Sequence, residues 1–135
     1  MIPVDLRHVR PLLKWPRGKG QLLSTLDSSI PSKFNRYFEP FLGGGAMFFH
    51  LASNMTSAAY ISDTNEELIK TYIVVRDRVG ELIEVLNQHQ KEYYKNPSEY
   101  YYRLRDEFQP RNDAEIAARF IALNKTCFNG LYRVN

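Results

Sequence analysis

Tyr37-Phe38-Glu39-Pro40-Phe41-Leu42-Gly43-Gly44-Gly45-Ala46 is the stretch whose reading decides the fold. Arg36 to Glu39 reads as a short strand continuing toward Phe41, and the three glycines break it. Ala46 to Ser53 reads as a helix, with Asn54 as its stop signal, and Ala58-Ala59-Tyr60-Ile61-Ser62 as a second short strand. Strand, glycine turn, helix and strand in that order form a βαβ unit, which implies a parallel sheet. Glycines at such a turn let a ligand come close to the backbone, because no Cβ intervenes. A dinucleotide site would want G-x-G-x-x-G here, but the third glycine position is Phe48, which closes off a pyrophosphate. A P-loop fails as well, since Gly18-Lys19 is followed by Gly20 and not by Ser or Thr.

A nucleoside without a pyrophosphate remains. Asp63 follows the second strand, where a carboxylate can accept both hydroxyls of a ribose. Glu39 adds negative charge beside the loop, which suits a cation and would repel a pyrophosphate. S-adenosylmethionine combines these demands: adenine, ribose and a cationic sulfonium amino acid. Two plainer readings stand beside this one, an ordinary tight turn for Gly43 to Gly45 and a helix N-cap for Asp63.

Outward from this core, a helix is expected from about Gly18 to Ser28, stopped by Ile30-Pro31. The second half of the chain reads as almost wholly helical. Thr64-Asn65-Glu66-Glu67 reads as a capping box with Thr64 as the cap. Leu68, Tyr72, Val75, Val79, Leu82 and Leu86 then form one apolar face, which Gly80 is expected to split. Asn96-Pro97-Ser98-Glu99 starts a helix to about Phe108, and Asn112-Asp113-Ala114-Glu115 starts another to about Leu123. The expected fold is thus α/β: the start of a sheet with two short parallel strands, followed by a mostly helical insert. The tyrosines from Tyr93 to Tyr102 are assigned to a helix-face core, and His8, His50 and His89 share no ligand spacing.

Composition narrows the classes. The 135 residues are 44% hydrophobic and 24% charged, ordinary values for a globular domain. The single cysteine, Cys127, excludes an internal disulfide framework and a cysteine-based zinc site. No apolar run is long enough for a membrane span, and the first ten residues lack a signal-peptide core, so a cytoplasmic protein with no membrane partner is expected. Charge is uneven: residues 1–36 carry seven bases and two acids, 37–115 eight and thirteen, and 116–135 three bases and no acid. Basic ends around an acidic middle suit a chain that offers selected faces to phosphate.

Four motifs in order then resemble the Dam-type (D12 class) DNA adenine-N6 methyltransferases. Leu12-Leu13-Lys14-Trp15-Pro16-Arg17-Gly18-Lys19 is similar to the family's K-W-x-G-G-K opening, with Arg17 where glycine is usual. Glu39-Pro40-Phe41-Leu42-Gly43-Gly44-Gly45 resembles its E-P-F-x-G-x-G loop, and Ser62-Asp63-Thr64-Asn65 its S-D-x-N segment. Asn129-Gly130-Leu131-Tyr132-Arg133-Val134-Asn135 resembles its N-G-L-x-R-x-N stretch. The resemblance implies a Rossmann-like methyltransferase sheet and S-adenosylmethionine as cofactor. Trp15, Lys19, Glu39, Phe41, Gly43, Gly45 and Asp63 would border that cofactor, with residues 1–64 as the cofactor-binding part. Residues 65–135 would be the helical insert with a DNA-recognition hairpin.

On the DNA side, Asn129-Gly130 between short extended stretches is a strong signal for a two-residue hairpin. The resemblance places Phe128 as a wedge aromatic, Asn129 and Leu131 near bases, and Lys125 and Arg133 on duplex DNA. A wedged ring offsets part of the cost of flipping a base, about a few kcal/mol. No Asp-Pro-Pro-Tyr motif, the family's catalytic signature, occurs in these residues. In the family order it follows the hairpin, so the chain is expected to be an N-terminal portion, inactive alone. Its expected partners are double-stranded DNA and the rest of the methyltransferase, a complementary chain or a second copy. Competing readings are a non-catalytic DNA-binding or regulatory module and a methyltransferase acting on RNA or a small molecule.

Overall fold

The computed structural model describes residues 10–15, 22–52, 55 and 58–127. Contacts divide the chain into two compact units, Met1–Thr64 and Asn65–Asn135. In the first unit, a short helix α1 (Leu23–Leu26) runs into a 3-10 turn (Asp27–Ser29), then β1 (Tyr37–Glu39), α2 (Ala46–Ala52) and β2 (Ala59–Ile61). The strands pair in parallel, with Tyr37 opposite Ala59, Phe38 opposite Tyr60 and Glu39 opposite Ile61. The expected βαβ order is therefore present, in a two-stranded sheet among the described residues. The start expected for α1, at about Gly18, lies outside the described residues. Its last turn tightens to 3-10 because Ile30, preceding Pro31, is extended at ψ 125° and closes on Asp27 O at 3.3 Å.

The second unit is helical: α3 (Glu66–Asp77), α4 (Val79–Lys95), α5 (Pro97–Asp106) and α6 (Asp113–Thr126). Two start signals act as read. Asn96 caps α5, with Pro97 at its first position, and Asn112 caps α6 by accepting from the Glu115 amide at 2.9 Å. The third is corrected by one residue. Asn65, not Thr64, caps α3, its Oδ1 taking the Leu68 amide at 3.0 Å. α6 is the centre of this unit, and α3, α4 and α5 all pack on it. Ala114, Ala117 and Ala118 are fully buried, so neighbouring helices can approach closely, and Phe120 and Leu123 fill the space between them.

The apolar face read across α3 and α4 is not continuous. The helix breaks at Arg78 (φ −140°, ψ 40°) rather than at Gly80, which lies in the first turn of α4 with open space around it. The Arg78 guanidinium lies 3.6 Å from the carboxylates of Glu81 and Asp113. The break resets the helical phase, so Val79 is exposed while Leu82 is buried. The tyrosine row divides too: Tyr100 is buried, but Tyr94 and Tyr102 face solvent. No helix among the described residues is long and apolar enough to cross a membrane.

Candidate cofactor site and DNA-facing segment

The glycine loop is fastened to the end of β2 by four hydrogen bonds. Ser62 N–H donates to Glu39 O at 3.0 Å, and Leu42 N–H donates to Ser62 O at 3.0 Å. The Ser62 hydroxyl reaches Pro40 O at 3.3 Å. Gly43 N–H then donates to Asp63 Oδ2 at 2.9 Å, across twenty residues of sequence. Gly45 N–H closes a turn on Leu42 O at 3.0 Å, and Phe49 N–H bonds Gly45 O at 2.9 Å, starting α2 directly behind the loop. Gly43 and Gly45 have φ of 55° and 75°, the left-handed region that side chains with a Cβ disfavour.

Trp15 covers this loop. A Cβ at Gly43 would stand 2.8 Å from Trp15 Cδ1, and one at Gly44 would meet Leu13 O at 3.0 Å and Trp15 Cβ at 3.2 Å. Gly43 is therefore required both by backbone conformation and by the close indole. Glu39 is 4% exposed and accepts the Tyr37 hydroxyl at 2.8 Å. Burial and the Glu39 carboxylate push the Tyr37 phenol well above its ordinary range, so it stays a donor.

The structure brings Trp15, Glu39, Gly43, Gly45 and Asp63 into one connected set. Asp63 is not the N-cap of α3, since Asn65 has that place, and its carboxylate turns instead to the loop. Phe41 is 74% exposed, so it is no core strand residue. Lys19 lies outside the described residues, as do Phe128, Asn129, Leu131, Arg133 and the expected hairpin. Lys125 is exposed in the last turn of α6, at the rim of a cavity of about 340 Å³ lined also by Leu86, Tyr93, Tyr94 and Ile121. Among the described residues no group of three or more His, Cys, Asp or Glu side chains could hold a metal ion.

Three residues gain parts that the motif reading did not assign. Ser62 joins the two strand ends, although it was visible only as the first letter of a motif. Tyr37 supports Glu39, a contact that the two-residue period of a strand makes possible. His89 is buried in the helical unit against Tyr100, and its Nε2 has no hydrogen-bond partner among the described residues. No sequence signal pointed to that burial.

A parallel βαβ unit with its glycine turn locked to a carboxylate after the second strand places the chain among α/β proteins. The model of the D12 class N6 adenine-specific DNA methyltransferase family matches residues 15–135, and the chain belongs to that family. It is 42% identical over 142 residues to the Type II methyltransferase M.MjaIII of Methanocaldococcus jannaschii, covering 95% of this chain and 49% of that protein. It is 44% identical over 133 residues to the Type II methyltransferase M1.LlaDCHI of Lactococcus lactis subsp. cremoris, covering 95% and 45%. With the DNA adenine methylase of Haemophilus influenzae the identity is 36% over 132 residues, covering 96% and 44%. The chain spans about half the length of these relatives.

Proposed function

We propose that this chain forms the S-adenosylmethionine-binding part and the DNA-entry segment of an enzyme that methylates adenine N6 in duplex DNA. The observation that carries the reading is the Gly43 to Asp63 hydrogen bond, which closes the E-P-F-L-G-G-G loop onto S-D-T-N. The two parallel strands are the opening of a Rossmann-like sheet, and residues 1–64 are its cofactor-binding part. Bound there, the cofactor supplies a sulfonium methyl as the transferable group. Asp63 accepts from the ribose, and the left-handed glycines let the loop close onto its carboxylate. Trp15 presents a ring face to the cationic end, Lys19 neutralises the carboxylate, and Glu39 adds the opposing charge. Phe41, exposed beside the loop, packs along the cofactor's edge.

Residues 65–135 are proposed as the helical insert that delivers the DNA hairpin. Lys125 and Arg133 meet the duplex, Phe128 wedges into the stack, and Asn129 and Leu131 reach the bases. The second reading is a DNA-binding or regulatory module without transfer chemistry. Transfer of labelled methyl from adenosylmethionine to unmethylated duplex DNA by the protein at its natural length separates the two. Label on adenine N6 supports the enzyme, and salt-dependent DNA binding without label supports the module.

A further inference from the structure

We infer that Tyr37 is a positioning residue of the cofactor site, acting through the carboxylate of Glu39. The inference rests on the reading of Glu39 as part of that site. Tyr37 and Glu39 lie two residues apart on β1 and so share one face, and the Tyr37 hydroxyl donates to Glu39 Oε2 at 2.8 Å. Phe38 takes the opposite face, where it stacks on Tyr60 with ring centroids 4.8 Å apart and 12° between planes. The sheet therefore has an aromatic face turned to solvent and a polar face on which a phenol holds an acid. Glu39 is 4% exposed, and a carboxylate so far from water needs donors to remain an anion.

Both ends of Glu39 are fixed. Its carbonyl accepts from Ser62 N–H at 3.0 Å, and its carboxylate accepts from Tyr37. Tyr37 is itself braced by Phe34, with ring centroids 6.4 Å apart. The raised phenol pKa keeps the proton on Tyr37 throughout the ordinary pH range, so the bond runs in one direction. A charge-assisted bond of this kind sets the rotamer of Glu39 before any ligand arrives, and a cation then meets a carboxylate already ordered. Tyr37 need touch no ligand to act in this way.

The test is a double-mutant cycle read by adenosylmethionine affinity in the protein at its natural length, with Tyr60→Phe as a control. That control removes a tyrosine hydroxyl from the other face of the same sheet. Tyr37→Phe is expected to weaken binding about tenfold, the scale of one hydrogen bond to a charged group. In methylation assays the loss should fall on the KM for the cofactor more than on kcat. In a Glu39→Gln background Tyr37→Phe should add little, and Tyr60→Phe should match the parent throughout. If Glu39→Gln weakens binding and Tyr37→Phe does not, the inference falls while the cofactor site stands. An equal effect of Tyr37→Phe in both backgrounds would make it a plain fold contact and also overturn the inference. If Glu39→Gln leaves affinity unchanged, the assignment of Glu39 to the site falls and the inference with it.

Discussion

The amide of Gly43 donates to the carboxylate of Asp63 at 2.9 Å, joining the turn after β1 to the residue that follows β2. A loop rich in glycine is costly to order, because glycine loses more conformational freedom than any other residue. Here that cost is offset by bonds at its start, middle and end: Ser62 on Glu39 and Leu42, Asp63 on Gly43, and Phe49 on Gly45. The loop is rigid by connection, and Gly43, Gly44 and Gly45 are buried within it.

Gly43→Ala should therefore be harmful and Gly80→Ala helpful. At Gly43 a left-handed φ of 55° would cost an L-residue about 1–2 kcal/mol, before the clash with Trp15. At Gly80 a methyl meets nothing within 4 Å, and the helix should gain about 0.5–1 kcal/mol. Denaturant unfolding of the two variants checks both signs.

His89 should make the helical unit sensitive to mild acid. Burial holds its imidazole below the ordinary value of 6.5, and Glu115 offsets only part of that effect. The unfolded chain then binds the proton more readily than the native one, so stability is complete above about pH 6.5 and declines as pH falls below it. Tyr100, pushed up to about 12 mainly by burial, does not titrate there. Glu115, held below the usual carboxylate range by Arg111, loses its contribution only at lower pH. Thermal midpoints of His89→Phe measured against pH should show a flatter decline just below pH 6.5 than the parent protein.

Arg133→Ala should weaken duplex DNA binding and leave adenosylmethionine affinity unchanged, because the motifs assign the two ligands to different segments. Fluorescence anisotropy and calorimetry on the same variant check the two halves. A cofactor loss of equal size would give Arg133 a part in the fold.

Residues 1–135 alone should transfer no methyl group to DNA, since no Asp-Pro-Pro-Tyr segment is present to accept from the adenine amine and stack on the base. They should also self-associate, because Phe38 and Tyr60 are 61% and 53% exposed on a sheet of two strands. A methyl-transfer assay and sedimentation of that fragment test the two statements. Turnover above background or a monodisperse monomer would contradict the matching one.

Much of this was legible in the residues because the signals were local. The caps at Asn96 and Asn112 follow from short-range chemistry, and so do the glycine turn and both strands. The spacing of Gly43 and Asp63 pointed to one site, though not to the bond between them. What escaped depends on tertiary partners. The helix breaks at Arg78, whose side chain pairs with Asp113 thirty-five residues away, a contact that no local pattern shows. Burial of His89 depends on Tyr100 and Phe108 closing over it. A cap one residue later than expected at Asn65 reflects two adjacent residues that can both cap, between which the pattern does not choose.

The central claim is that the Asp63 carboxylate serves a bound nucleoside as well as the loop, and calorimetric titration of adenosylmethionine tests it most directly. Asp63→Asn keeps an oxygen for the Gly43 amide but loses the anionic acceptor, and Asp63→Ala loses both. His50→Ala, which breaks only a 2.5 Å pair with Asp27, is the control. The account predicts affinity close to the parent for His50→Ala and losses of about 1–3 kcal/mol for both Asp63 variants. Affinities equal to the control in both would contradict it and leave Asp63 as a loop fastener alone.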